Sequence, residues 1–167
     1  MRTGSVTLER FRHVNDHLTP LAVVVVVPGL SLAPLSRVRM LVSGGLLVYS
    51  VLMNYLSMFL LRRDLVVVGR FRVVSNYVVT IGLVWVLYTA WPTVWLLLLL
   101  TSVGPALYQD RRDAILTGLA MAVFLLVVHG LLGAHSGAAW AEAGVKAYAI
   151  VALSLFVSGL PPGPSGR

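Results

Sequence analysis

A chain of 167 residues that is 58% hydrophobic and only 11% charged cannot assemble a water-facing surface, since soluble domains carry about 25% charged residues. The net charge of +7 points in so apolar a chain to orientation in a membrane rather than to nucleic acid, and no nucleic-acid partner is expected. With no cysteine, disulfides and thiol chemistry are excluded, and the class that remains is an integral membrane protein.

Apolar segments follow one another along the chain, each long enough at about 1.5 Å per residue to cross roughly 30 Å of hydrocarbon. Residues 1–17 form a polar-rich N-terminal segment. The first apolar segment, about Leu18 to Ser36, lacks a small-residue cleavage site, so it is expected to be retained. Pro28 and Gly29 interrupt it. The second segment, Met40 to Leu61, is framed by Arg39 and Arg62. The third, Val73 to about Ala90, and the fourth, Trp91 to Tyr108, are separated by a Trp-Pro turn. The fifth covers Ala114 to Gly133, and the sixth is drawn from about Val145 to Leu160, with a helix start as early as Ala138. The tail, 161–167, reads "PPGPSGR" and is too short to fold.

Backbone in hydrocarbon must satisfy its own hydrogen bonds, so helices are the expected spanning form. A barrel strand would alternate apolar and polar residues, and "AVVVVV" and "WLLLLL" do not. The expected fold is all-α: a polytopic membrane helix bundle of about six transmembrane helices over residues 18–160.

Lysine and arginine then set the topology. Ten of the thirteen basic residues lie at one set of segment ends, among them Arg62, Arg63, Arg70, Arg72, Arg111 and Arg112. Only Arg37, Arg39 and Lys146 lie at the other. With six spans, both termini are expected in the cytoplasm and the protein in a bacterial inner membrane. The stretch "DLVVVG" between Arg63 and Arg70 reads as a basic cytoplasmic loop on an anionic leaflet.

Polar residues inside the spans are the candidate functional set. Ser43, Ser50, Asn54 and Ser57 are spaced 7, 4 and 3 apart, which places them on one helical face. Asn76 and Thr80 make a shorter stripe on the third span, Gly118 and Ala122 a small-xxx-small contact on the fifth, and Ser154 and Ser158 recur on the sixth. Such stripes ordinarily face other helices, within the bundle or between subunits, and a ligand or signal cavity is the sharper alternative. Trp85, Tyr88, Trp91, Trp95 and Trp140 gather at outer span ends as interfacial anchors do. His129, near the outer end of the fifth span, reads first as an interfacial residue, with a response to periplasmic pH as the sharper alternative. Pro105 beside Gly104 is either a hinge or a helix end.

No span carries Asp, Glu, Lys or Arg, apart from Glu142 and Lys146 at the entrance of the sixth. Ion-coupled carriers usually need an ionisable group at membrane depth. "QDRRD", 109–113, reads as a solvated turn, and "GAHSG", 133–137, has the wrong order for a serine-protease motif. No metal spacing or phosphate-binding glycine loop is present, and neither an enzyme nor a cofactor is expected.

Two stretches, "YSVLMNYLSMFLLRR" (49–63) and "VLYTAWPTVWLLLLLTSVGPALYQDRRDAILTGLAMAVFLLV" (86–127), resemble the membrane input domain of certain bacterial sensor histidine kinases. The type IV pilus sensor kinases and their nitrogen-regulator-like relatives are the nearest. Tyr49, Asn54, Arg62, Arg63, Tyr88 and Thr89 match that pattern, while Ala90, Trp91 and Pro92 replace its glycine pair. The resemblance implies a two-component input module, stand-alone or truncated, because such kinases continue into a phosphoaccepting histidine and an ATP-binding domain. The expected role is therefore sensory or regulatory and non-catalytic. Expected partners are the lipid bilayer and either further copies of the chain or another membrane protein that meets the Ser43–Asn54–Ser57 face. The alternative is a small transporter or carrier subunit.

Overall fold

A computed structural model describes residues 20–60, 65–106 and 111–159. Among them every regular element is helical: α1 (Pro20–Leu32), α2 (Arg37–Leu60), α3 (Leu65–Leu87), the 3-10 turn η1 (Pro92–Trp95), α4 (Leu96–Ala106), α5 (Arg111–Leu132) and α6 (Gly137–Ser158). The all-α class follows directly. Three stretches, Arg37–Leu56, Arg111–Leu132 and Gly137–Ser158, are long and apolar enough to cross a membrane, and Pro20–Leu32, Val74–Leu87 and Pro92–Val103 are shorter apolar helices. The terminal segments 1–17 and 161–167 lie outside the described residues.

Helix boundaries differ from expectation in two places. The segment Pro20–Leu32 is one helix, uninterrupted by Pro28 and Gly29. Proline removes one helical donor and disturbs the preceding turn, and a neighbour can supply a replacement. The carbonyl that loses its helical donor is that of Val24, and next to it the Trp91 indole Nε1 donates to the carbonyl of Val25 at 3.1 Å. Of the stretch "DLVVVG", Asp64 lies outside the described residues and the rest is helix, not loop, because α3 starts at Leu65 and carries Arg70 and Arg72. Valines cost a helix only a few tenths of a kcal/mol each and Gly69 about 1, too little to stop a helix that a membrane segment continues. The sixth helix starts at Gly137, next to the early start at Ala138 that the sequence allowed. Ser136 caps it, with extended backbone (φ −75, ψ 152) and a hydroxyl that accepts from Ala139 N–H, satisfying one of the free donors of the first turn.

The chain divides into two compact units. In the unit Ala22–Thr101, α2 packs against α3. Arg39 meets Thr89, Leu46 meets Gly82 and Tyr49 meets Ser75. The two members of each pair run in opposite order along the chain, so the helices are antiparallel. The buried face of α3 is Ser75, Val79, Thr80, Leu83, Val84 and Leu87, the three- and four-residue spacing of a helix stripe. Val94, Leu97 and Leu98 are buried from η1 and α4.

The second unit is built on α5 packed against α6. Its seam is Ala114, Gly118, Met121, Ala122, Leu125, Val128 and His129 from α5. Ala143, Ala147, Ile150 and Ser154 come from α6, at intervals of four, three and four. Small residues at these positions let the backbones approach closely, the usual basis of helix association where lipid and protein are equally apolar. A Cβ on Gly118 would stand 2.8 Å from Ser154 Oγ and 2.9 Å from its Cβ, so only glycine fits there.

Candidate functional site

The polar residues of Ala22–Thr101 are drawn into the protein. Ser43 is fully buried and Asn54 is 7% exposed, while Ser50 is half-buried. The side chain of Ser57 lies outside what is described. Of the Ser43–Asn54 face of α2, Ser43 and Asn54 are therefore buried within the chain itself, and Ser50 is partly open. On α3 the expected pair separates: Thr80 is buried and shares a hydrogen bond with Thr101 of α4 at 2.8 Å, whereas Asn76 is only half-buried. Its neighbour Ser75 is the buried residue, and its hydroxyl donates to the Tyr49 hydroxyl at 3.2 Å. Tyr49 and Ser75 were legible only after pairing, because a tyrosine on a helix gives no sign of which neighbouring helix its hydroxyl will reach.

Ser43 stands apart. Among the described residues its buried Oγ has no hydrogen-bond partner, a state that costs about 1–3 kcal/mol for a neutral group.

At one end of the same unit, Arg39 Nη1 donates to Thr89 Oγ1 at 3.2 Å, and Arg39 N–H donates to Ser36 Oγ at 3.3 Å. One of the three basic residues on the minority side is thus engaged with the turn after α3. Of the expected topology set, Arg111 and Arg112 are exposed in the first turn of α5. Arg62 and Arg63, and the side chains of Arg70 and Arg72, lie outside what is described.

The aromatic residues split in role. Trp85 and Trp140 are 45% and 42% exposed, as interfacial residues would be. Trp91 is held inside its unit, because its ring lies against Gly29, where a Cβ would come within 2.9 Å, and its N–H is bonded to Val25.

In the α5–α6 unit, Ser154 is buried and turns its hydroxyl back to the Ile150 carbonyl at 2.8 Å, and Ser158 does the same to Leu155 at 2.9 Å. Gly118 and Ala122 sit in the seam. Toward the loop end, His129 packs on Trp140, and Glu142 forms an ion pair with Lys146 at 2.6 Å, one turn apart on α6. Because α6 begins at Gly137, this pair lies within the helix rather than at its entrance. Of the "GAHSG" segment, Ser136 serves as the helix cap. The Ser followed by a small-residue run was a readable N-cap signal. Among the described residues no group of three or more His, Cys, Asp or Glu is placed to hold a metal.

No protein-family model matches the chain, and comparison with curated proteins and with solved structures returns no match.

Proposed function

We propose that the protein is a non-catalytic membrane module with a sensory or regulatory role, in a bacterial inner membrane, with six crossings and both termini in the cytoplasm. The observation that carries this reading is the fate of the in-span polar groups. Tyr49, Ser75, Thr80 and Thr101 bond helix to helix and so do not line a path for solute. Interhelical bonds of this kind contribute about 0.6 to 2 kcal/mol each and set a helix arrangement that a signal can shift. The opposite face of α2 carries Val38, Leu41, Val48, Leu52 and Tyr55, all strongly exposed, and this face, not Ser43–Asn54, is the one left for lipid, a second copy or another membrane protein. The segregation of arginines supports the orientation, and the likeness to sensor-kinase input domains supports the two-component setting.

A photo-crosslinking residue at Leu52, with one at buried Ser43 as control, tests the reading in native membranes. A single defined protein adduct from Leu52, and none from Ser43, is expected; lipid adducts alone would refute a partner-coupled role. Reporter fusions test the orientation. Those after Trp91 and Ser136 should report the periplasm and one at Arg167 the cytoplasm.

A small transporter or carrier subunit is the second reading, favoured by the Glu142–Lys146 pair inside α6. Solute flux in proteoliposomes that Glu142→Gln abolishes would establish it in place of the first.

A further inference from the structure

The two helices of the α5–α6 unit turn different residues outward. The outward row of α5 is Leu116, Leu119, Val123, Val127 and Leu131, all exposed and all of the large aliphatic kind that lipid solvates well. On α6, Ala143, Ala147, Ile150 and Ser154 are taken up by the seam. The row on its far side is small: Ala138, Ala141, Val145, Ala149 and Ala152 follow at intervals of three or four. Below Ala152 the outward residues are large again, with Leu155 and Phe156. Two polar side chains flank the small row. Tyr148, 74% exposed, stands near the middle of a helix long and apolar enough to cross a membrane. Glu142 lies on the other flank; Lys146 holds it at 2.6 Å, yet its side chain is 66% exposed. At about 100° per residue, Val145 bisects the angle of about 120° between Glu142 and Tyr148.

We propose that this face of α6 packs against the same face of a second copy of the chain, parallel to it and about a two-fold axis that passes beside Val145. Copies that insert by the same arginine bias share one orientation, and a two-fold pair is the commonest symmetric assembly. Such an axis exchanges the flanks, so Glu142 of each copy stands beside Tyr148 of the other. The offset along the helix fits as well. Six residues separate the two Cα levels by about 9 Å, and a helical tyrosine leans toward the N-terminus of its helix, which brings its hydroxyl back toward Glu142. The phenol donates and the carboxylate accepts, so the complementarity is met twice. Lipid meets neither need. Hydrocarbon has no partner for a hydroxyl, and a carboxylate inside a span faces protein or water rather than acyl chains. The alanines let two backbones approach closely, but they would admit any helix. The reciprocal donor and acceptor are what select a second copy.

The chain has no cysteine, so single cysteines report which faces meet. The full chain with Val145→Cys, oxidised in native membranes, should give a disulfide-linked dimer, because a residue beside a two-fold axis meets its own copy. Val123→Cys on α5 and Leu52→Cys on α2 should give none. In phosphatidylcholine liposomes, energy transfer between donor- and acceptor-labelled copies, followed as lipid is added, reads the dissociation constant. Tyr148→Phe removes both symmetric bonds and should raise that constant about tenfold; in Glu142→Ala it should add nothing further. Ala141→Leu should abolish the transfer. Since Ala141 is exposed in the single chain, this variant should unfold in micelles as the wild type does. A protein that stays monomeric at every lipid ratio overturns the inference. So does Val123→Cys or Leu52→Cys linking two copies as readily as Val145→Cys, a Val145→Cys adduct with a protein of another mass, or independent effects of Tyr148→Phe and Glu142→Ala. The regulatory reading stands or falls separately: a dimer through α6 with lipid adducts alone at Leu52 would refute that reading and leave this one in place.

Discussion

The two units join helices by different means. Between α2, α3 and α4, side-chain hydrogen bonds cross from helix to helix: Tyr49 with Ser75, Thr80 with Thr101, and Arg39 with Thr89 beyond the helix end. Between α5 and α6 the backbones come close on Gly118, Ala122, Ala143 and Ala147, and Ser154 spends its hydroxyl on its own helix. Helices in lipid gain nothing from hiding apolar surface, which lipid would solvate equally well, so polar bonding and close packing are the forces left. The comparison teaches that one short chain uses both. A packed seam tolerates no added volume, whereas a bonded one tolerates the loss of a bond if both partners go.

The sharpest break is expected at Gly118. Gly118→Ile drives a branched side chain into Ser154, and overpacking of this kind costs about 1–3 kcal/mol or more. Thermal or denaturant unfolding in micelles should show it. The smaller Gly118→Ala, measured with and without Ser154→Gly, should show the second change relieving the first, and additive effects would mean that the two helices do not meet there. Next in size is Trp91→Phe, which leaves the Val25 carbonyl without its indole donor and should destabilise the Ala22–Thr101 unit by about 1–2 kcal/mol.

A smaller effect sharpens the contrast. Thr80→Val or Thr101→Val alone should cost about 0.6 to 1 kcal/mol. The double variant should cost less than the two singles together, because no buried hydroxyl is then left unpaired; a double-mutant cycle with zero coupling would count against the bond. The smallest expected change is Ser43→Ala. Its hydroxyl is buried with no partner among the described residues, so removal should leave stability unchanged or slightly raised, and a marked loss in the same unfolding assay would reveal a partner for Ser43.

Much of this was written in the residue order. Long uncharged runs in a chain that is 11% charged dictate helices in a bilayer, because no other open structure satisfies its backbone there. The spacing of Gly118 and Ala122 named a packing face, and the seam of α5 uses it. The polar stripe on α2 was visible as a face, and its burial in Ser43 and Asn54 follows the same logic.

What tertiary structure decided was which surfaces meet. A stripe of serines and an asparagine reads alike whether it faces a helix of its own chain or one of another, since periodicity records direction around an axis and not what stands opposite. Only the folded chain buries Ser43 and Asn54 and leaves Leu52 and Tyr55 outside. Trp91 looked like an interfacial anchor because its amphipathic ring suits a headgroup layer. Its place against Gly29 and Val25 depends on contacts more than sixty residues away in sequence, which no local pattern encodes. His129 and Trp140 are likewise separated by a turn whose geometry, set by Gly133 and the Ser136 cap, brings two rings together that the sequence merely lists in order.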